Sequence, residues 1–134
     1  MEHIRSFFQH QDKLAAHLGI ELLDVSEGRA KAKLAIGPAH LNGVRTAHGG
    51  AIFTLADLAF AAAANSHGTV AVAINVSISY LKAALEGGVL TAEAREITRN
   101  AKLGHYTVHV TDEASEVVAI FQGIVYRKRD PLPM

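Results

Sequence analysis

The fourteen residues from Ala51 to Ala64, AIFTLADLAFAAAA, constrain the fold most, because only Thr54 and Asp57 interrupt an otherwise apolar run. The run falls short of the roughly 20 residues that a membrane-spanning helix needs. A helix that is apolar on nearly every side must instead be surrounded by other structure. The remainder of the chain therefore has to supply a wrapper.

Its periodicities describe one. Ile4, Phe7, Phe8, Leu14, Ala15 and Leu18 recur at helical spacing and predict an N-terminal helix over residues 1–18 with one packed face, ended by Gly19. Strands follow at 20–26 and 29–36, turning at Glu27-Gly28. In the second, Ala30, Ala32, Leu34 and Ile36 alternate with Arg29, Lys31 and Lys33, so one face is buried and the other wet. After a loop opened by Gly37-Pro38, the apolar helix spans about 49–65 and closes at Asn65-Ser66-His67-Gly68. The period then becomes two: Val70, Val72, Ile74, Val76, Ile78 and Tyr80 share one side of a strand. Three more strands are predicted near 88–99, 103–112 and 116–128. Their links, Glu86-Gly87-Gly88, Asn100-Ala101-Lys102 and Asp112-Glu113-Ala114, are short enough to predict antiparallel neighbours. The fold class is α+β: a central helix wrapped by an antiparallel sheet of about six strands, in one domain over 1–134, with residues 129–134 as a loose tail.

At 134 residues, 49% apolar and 19% charged, the chain can bury a real core and is not a disordered segment. Thirteen basic and thirteen acidic side chains cancel, which gives no reason to expect nucleic acid as partner. The absence of cysteine excludes disulfides, thiolate catalysis and thiolate metal sites. The polar, amphipathic start, MEHIRSFFQHQDK, is not a secretory signal. The reading is a cytoplasmic protein with no membrane association.

Asp57 is the one charge in the apolar helix, and an unpaired carboxylate in such a setting costs several kcal/mol. It has either a partner or a task. The lead-in, Asn42-Gly43-Val44-Arg45-Thr46-Ala47-His48-Gly49-Gly50, is glycine-flanked, and a helix start of that kind can offer free N–H groups to developing negative charge. The two features are too far apart to meet within one helix. Nine residues place His48 and Asp57 on opposite faces about 13 Å apart, and eight place Gly49 and Asp57 about 12 Å apart. A site using both must be built from two chains, with Asp57 of one subunit facing the Gly49-Gly50 turn of the other. The small residues Gly50, Thr54, Asp57, Ala61 and Ala64 leave room on that side for a ligand or a partner helix; close helix packing, with Asp57 held by backbone donors or an arginine, is the alternative.

Asn42-Gly43, His48-Gly49-Gly50, Phe53-x-Leu55-Ala56-Asp57, Ala59-Phe60-Ala61 and Asn65-Ser66-x-Gly68 together resemble the hotdog-fold acyl-CoA thioesterases of the phenylacetate-degradation type. The likeness continues through Tyr80-Leu81 to Val118-Ala119-x-Phe121-x-Gly123 and Tyr126-Arg127, covering residues 19–128. It implies a helix wrapped by a curved antiparallel sheet, homodimers sharing a continuous sheet, and homotetramers made of two such dimers. The implied reaction is hydrolysis of a coenzyme A thioester, with no cofactor beyond the coenzyme A of the substrate and no metal. Asp57 then resembles the catalytic carboxylate, as general base or nucleophile, and Gly49 the glycine whose N–H polarises the carbonyl. Asn42 resembles the asparagine near the thioester or the attacking water, and His48 a residue that shapes the helix start. Where related enzymes carry a water-holding serine, this chain has Ala73; Asn75 or Ser77 are the substitutes at hand.

Gly50, Thr54 and Phe53 join the substrate-binding candidates; the apolar pocket candidates Phe53, Phe60 and Leu58 are equally good core residues. Arg99 and Lys102 flank a turn and are candidates for the coenzyme A phosphates, as are Lys82 and Arg127. His3, His10 and His17 are too widely spaced to share an ion, and His105 and His109, two pleats apart on one side of a strand, lack a carboxylate close by. Two other functions fit the pattern less well: a hydratase or dehydratase using His48 with a partner's Asp57, and a non-catalytic acyl-CoA binding protein. An aromatic acyl group, or a medium-length chain, is what the resemblance implies for the substrate.

Overall fold

The apolar run forms a 16-residue helix, Gly49–Ala64, and a single antiparallel sheet of six strands packs around it. The computed structural model describes all 134 residues, Met1–Met134. In chain order these form α1 (Glu2–Gln11), α2 (Lys13–His17), β1 (Glu21–Ser26), β2 (Arg29–Ala35), a 3-10 turn (Pro38–His40), α3 (Gly49–Ala64), β3 (Thr69–Tyr80), β4 (Val89–Arg99), β5 (Leu103–Thr111) and β6 (Val117–Pro131). One helix touches all six strands, which requires the sheet to curl about it. Ten of the α3 side chains are buried, and they pack with Leu22, Leu34, Leu90, Tyr106, Val108 and Phe121 in a single core. The packing is tight where β6 crosses α3: a Cβ on Gly123 would lie 2.5 Å from Cζ of Phe60, so only glycine fits beneath that ring.

The strand order is β1-β2-β4-β5-β6-β3. The hairpins β1–β2, β4–β5 and β5–β6 are antiparallel neighbours as their short links predict. The β3–β4 link behaves otherwise. β3 lies at one edge of the sheet and β4 in its middle, and β3 pairs with β6 instead. Residues 81–88 cross the open end of the sheet past the start of α3. Leu81 N–H donates to Val118 (2.8 Å), Ala47 N–H donates to Ala84 (2.8 Å), and Ile36 N–H donates to Gly88 (2.9 Å). This crossing segment walls the region around Gly49.

β3 also departs from its predicted unbroken alternation. Its register to β6 slips between Ala73 and Asn75, so the inward side changes phase at a bulge. Val76 and Ile78 pack on the core, whereas Val72 and Ile74 are 40% and 57% exposed. The outer edge of β3 has no strand beside it.

The predicted N-terminal helix is two. Asp12 breaks it, and its carboxylate caps α2 by accepting the Ala15 N–H at 3.1 Å. The break rotates Leu14 outward to 59% exposure, while Ile4 and Ala15 remain buried. Gln9 joins α1 to the sheet by donating to the Ile20 carbonyl and accepting the Leu22 N–H. β6 runs to Pro131, into the 129–134 stretch expected to be loose, and Leu132 is buried, while residues 132–134 extend no strand.

At the far end of α3 a polar cluster closes the fold. Glu96 Oε1 accepts from the Tyr106 hydroxyl and from His67 Nε2, both at 2.7 Å, and Arg99 Nε lies 3.6 Å away. Burial pushes Glu96 up, but the two hydrogen bonds and the charge of Arg99 outweigh it and hold the carboxyl below its ordinary value. The same burial, then the bond to Glu96, raises Tyr106 and keeps it a donor. A depressed folded pKa stabilises the native state above the unfolded value and loses that contribution as pH falls through the folded one. Glu96→Gln should therefore lower the melting temperature at pH 7, by about 3–8 °C for a loss of about 1–2 kcal/mol. The difference from wild type should shrink below about pH 4.5, as melting curves across that range would show.

Candidate active site

The site is assembled at the N-terminus of α3, and the sequence dictates most of its local geometry. His48 is the N-cap, with extended backbone, and its Nδ1 accepts the Gly50 N–H at 2.8 Å. The His48 carbonyl takes the N–H groups of Ala51 and Ile52, and the His48 N–H itself donates to the His40 carbonyl. Gly49 N–H is left as the donor of this first turn without an acceptor in the chain. The glycine pair thus divides its roles: Gly50 is spent on the cap, and Gly49 offers the free hydrogen.

The loop ahead of the helix is held by Asn42. Its Oδ1 accepts from Val44 N–H (3.0 Å) and Thr46 N–H (3.1 Å), and its Nδ2 donates to Thr46 Oγ1 (2.9 Å). These bonds stabilise a tight turn in which Arg45 takes a left-handed backbone, φ 65°. One Asn42 amide hydrogen stays available. Asn42, Gly49, Ile52, Tyr80 and Lys82 line a common hollow of about 420 Å³, within the range of small-molecule pockets.

Asp57 stands eight residues along α3, half-buried, with neither a hydrogen bond nor an ion pair. The arginine or backbone donors that would make it a packing residue are absent. Burial raises its pKa, and the negative charge of Asp12 adds to the rise. It belongs to a stripe. The residues of α3 that are not buried are Gly49, Gly50, Phe53, Thr54, Asp57 and Ala61, a helical face that the sheet leaves uncovered. Ala64, expected on the same stripe, is buried instead.

The other candidates scatter. Thr54 turns its hydroxyl back to the Gly50 carbonyl (2.7 Å), and Phe53 stacks edge-on against Phe121 with centroids 5.4 Å apart. Asn75 shares its strand face with Ser77 and Ser79, the side turned away from α3, because it alternates with the inward Val76 and Ile78. Arg99 lies at, and Lys102 just beyond, the far end of β4 from the 81–88 segment that walls Gly49, and an 11-residue strand spans about 35 Å. Within one chain the fold therefore does not bring Asn75, Arg99 or Lys102 to the Gly49 hollow. Lys82 does reach it but is bridged to Asp112 (2.6 Å) and Glu116 (3.1 Å), and Arg127 binds the Asn100 carbonyl. His109, expected to lack a nearby carboxylate, sits directly across from Glu93. Tyr80, whose hydroxyl donates to the Gly49 carbonyl at 2.8 Å, went unassigned in the sequence; no local signal places a strand residue 31 positions away against a helix start.

Residues 45–119 match the family model of the thioesterase superfamily. The chain is 43% identical over 133 residues to a putative esterase of Archaeoglobus fulgidus, covering 99% of this chain and 86% of the relative. It is 36% identical to the acyl-coenzyme A thioesterase PaaI of Escherichia coli, covering 87% of this chain and 83% of that one. The solved structure of E. coli PaaI, a protein of the phenylacetic acid degradation operon, superposes with a TM-score of 0.89 over 96% of both chains at 33% identity. A hypothetical thioesterase of Streptococcus pneumoniae solved with coenzyme A matches at TM-score 0.86 and 25% identity, covering 94% and 98% of the two chains.

The helix wrapped by a six-stranded antiparallel sheet is the hotdog fold, and the chain belongs to the thioesterase superfamily. Within that superfamily it is of the PaaI-like kind, an enzyme that hydrolyses thioesters.

Proposed function

We propose that the enzyme hydrolyses acyl-CoA thioesters to the free acid and coenzyme A, in sites shared between two subunits. The observation that carries this reading is a pair of unsatisfied groups on one helix: the Gly49 N–H without an acceptor and the Asp57 carboxylate without a donor. At about 12 Å apart along the axis they cannot serve the same carbonyl. A second copy resolves this. If two α3 helices lie antiparallel about a two-fold axis level with Phe53, residue 49 of one stands level with residue 57 of the other. The uncovered stripe of α3 and the free edge of β3 are surfaces that a second copy could cover, and joining two β3 edges would continue the sheet. Such dimers would pair again into homotetramers.

In this arrangement the Gly49 N–H and the helix dipole stabilise the oxyanion as the carbonyl is attacked. Asp57 of the partner, brought beside that positive helix end, acts as general base on water or as nucleophile. The dipole counteracts the upward push of burial and keeps the carboxylate ionised at neutral pH. The remaining Asn42 amide hydrogen orients the thioester or the water. Gly50, Thr54 and Phe53 border the acyl group, and no metal or further cofactor is required. Arg99 and Lys102 can meet the nucleotide phosphates only when supplied by another subunit, and Asn75 can hold the water only on the same condition. The hydratase reading loses support because Nδ1 of His48 is committed to the cap. E. coli PaaI is an acyl-coenzyme A thioesterase from the phenylacetic acid degradation operon, and the panel to try is therefore phenylacetyl-CoA and hydroxyphenylacetyl-CoA first, medium-chain acyl-CoA next. Following free thiol release from this panel tests the reading. Turnover of at least one member is expected, and binding without release from any would favour a non-catalytic acyl-CoA protein.

A further inference from the structure

The peptide that joins Gly49 to Gly50 is held at both ends by side chains from different parts of the fold. Its N–H, on Gly50, donates to His48 Nδ1 at 2.8 Å, and its carbonyl, on Gly49, accepts the Tyr80 hydroxyl at 2.8 Å. The free Gly49 N–H belongs to the peptide immediately before it. Two bonds therefore fix the rotation of the backbone on the helix side of that hydrogen. The His48 carbonyl, bonded to Ala51 and Ile52, fixes the plane that carries it.

Tyr80 also explains the glycine. A Cβ on residue 49 would lie 3.1 Å from both Cζ and the hydroxyl oxygen of Tyr80. A larger residue there would press on the ring, which would have to give by a few tenths of an ångström. Tyr80 comes from the last position of β3, where the register with β6 turns it toward α3 opposite Ala119, and it lines the same hollow as Gly49 and Asn42. Its ring is half-exposed, and burial raises its pKa, so the hydroxyl stays a donor across the working range.

We infer that Tyr80 is a positioning residue: through its bond to the Gly49 carbonyl it aims the Gly49 N–H at the reacting thioester carbonyl, and its ring forms a wall of the hollow beside it. This rests on the thioesterase reading of the site. A preorganised donor contributes to catalysis only while its direction is fixed before the charge develops. Losing the tether should therefore reduce turnover more than substrate binding.

The test is Tyr80→Phe, which keeps the ring and removes the bond, read in two ways. In the unliganded protein, the Gly49 and Gly50 amide resonances should shift. With phenylacetyl-CoA or whichever panel member wild type turns over best, kcat should fall about 5–20-fold, with KM changed less than two-fold. Unchanged Gly49 and Gly50 resonances would overturn the tether. Shifted resonances with an unchanged kcat would overturn its role in catalysis, and so would a loss confined to KM. Shifted resonances in a protein whose wild type hydrolyses no thioester would leave the tether standing and count against the thioesterase site. A second pair separates the ring: Gly49→Ala should lower stability, and Tyr80→Ala in the same chain should restore part of it. No restoration would remove the ring as the reason for glycine at position 49.

Discussion

Asp57→Asn is expected to lower kcat for thioester hydrolysis by about three orders of magnitude or more, as befits removal of the base or nucleophile at an otherwise intact site. The substitution preserves shape, removes the charge and replaces one acceptor oxygen with an NH2 donor, so KM should stay within a few-fold. Stability should move the opposite way. In the single chain the Asp57 carboxylate is raised by burial and by Asp12 and has no donor to offset either. A raised folded pKa means that the native state gains stability from this group below the unfolded value and loses it as pH rises through the folded one. At neutral pH the charge is a cost, and asparagine removes it. The gain should be about 1 kcal/mol, or about 3–5 °C in melting temperature. It should vanish as pH falls below 3.8, the ordinary aspartate value. Beside a partner's helix start the carboxylate would be partly compensated, so the gain in an assembled dimer should be smaller than in dilute monomer. Thiol release near wild-type rates from the variant would exclude Asp57 as the reacting group.

What the sequence makes legible here is whatever rests on local rules. The ends of α3 are readable because His48 and Asn65 are cap residues around an uninterrupted apolar run. The β4–β5–β6 meander is readable because its links are short and its alternation clean. The placement of β3 is not, since a strand at the sheet edge next to β6 is chosen by the closure of the sheet over α3, and the 81–88 segment gives no local sign that it crosses. The bulge at Ala73–Asn75 is similarly a product of pairing with β6, and it turns Val72 and Ile74 outward while Val76 and Ile78 stay on the core. At the site, Asp57 and Gly49 stand out by residue type. Which glycine keeps a free N–H depends on the ring orientation of His48, and why residue 49 is glycine depends on Tyr80. Both are tertiary facts.

Mixing subunits should distinguish a shared site from a self-contained one. Gly49→Pro removes the proposed oxyanion donor while remaining compatible with the first position of a helix, where proline is tolerated. The proline Cβ presses on the Tyr80 ring as an alanine's would, so the variant is used as a dimer shown to be folded by circular dichroism and native mass spectrometry. Each variant alone, Gly49→Pro or Asp57→Asn, should form dimers with two dead sites. In a dimer of one with the other, both substitutions fall together in one site if Asp57 acts opposite the partner's Gly49. The second site then combines an intact Asp57 with an intact Gly49. Random reassociation makes about half the dimers mixed, each with one working site of two, so roughly a quarter of wild-type activity should return. If both groups acted within a single chain, every site in the mixture would carry one lesion and no activity would return. Recovery must scale with the mixed fraction measured by native mass spectrometry on differently labelled subunits. Complete exchange with no recovered thiol release would sink the two-chain site, and would leave the separation of about 12 Å along α3 without a functional resolution.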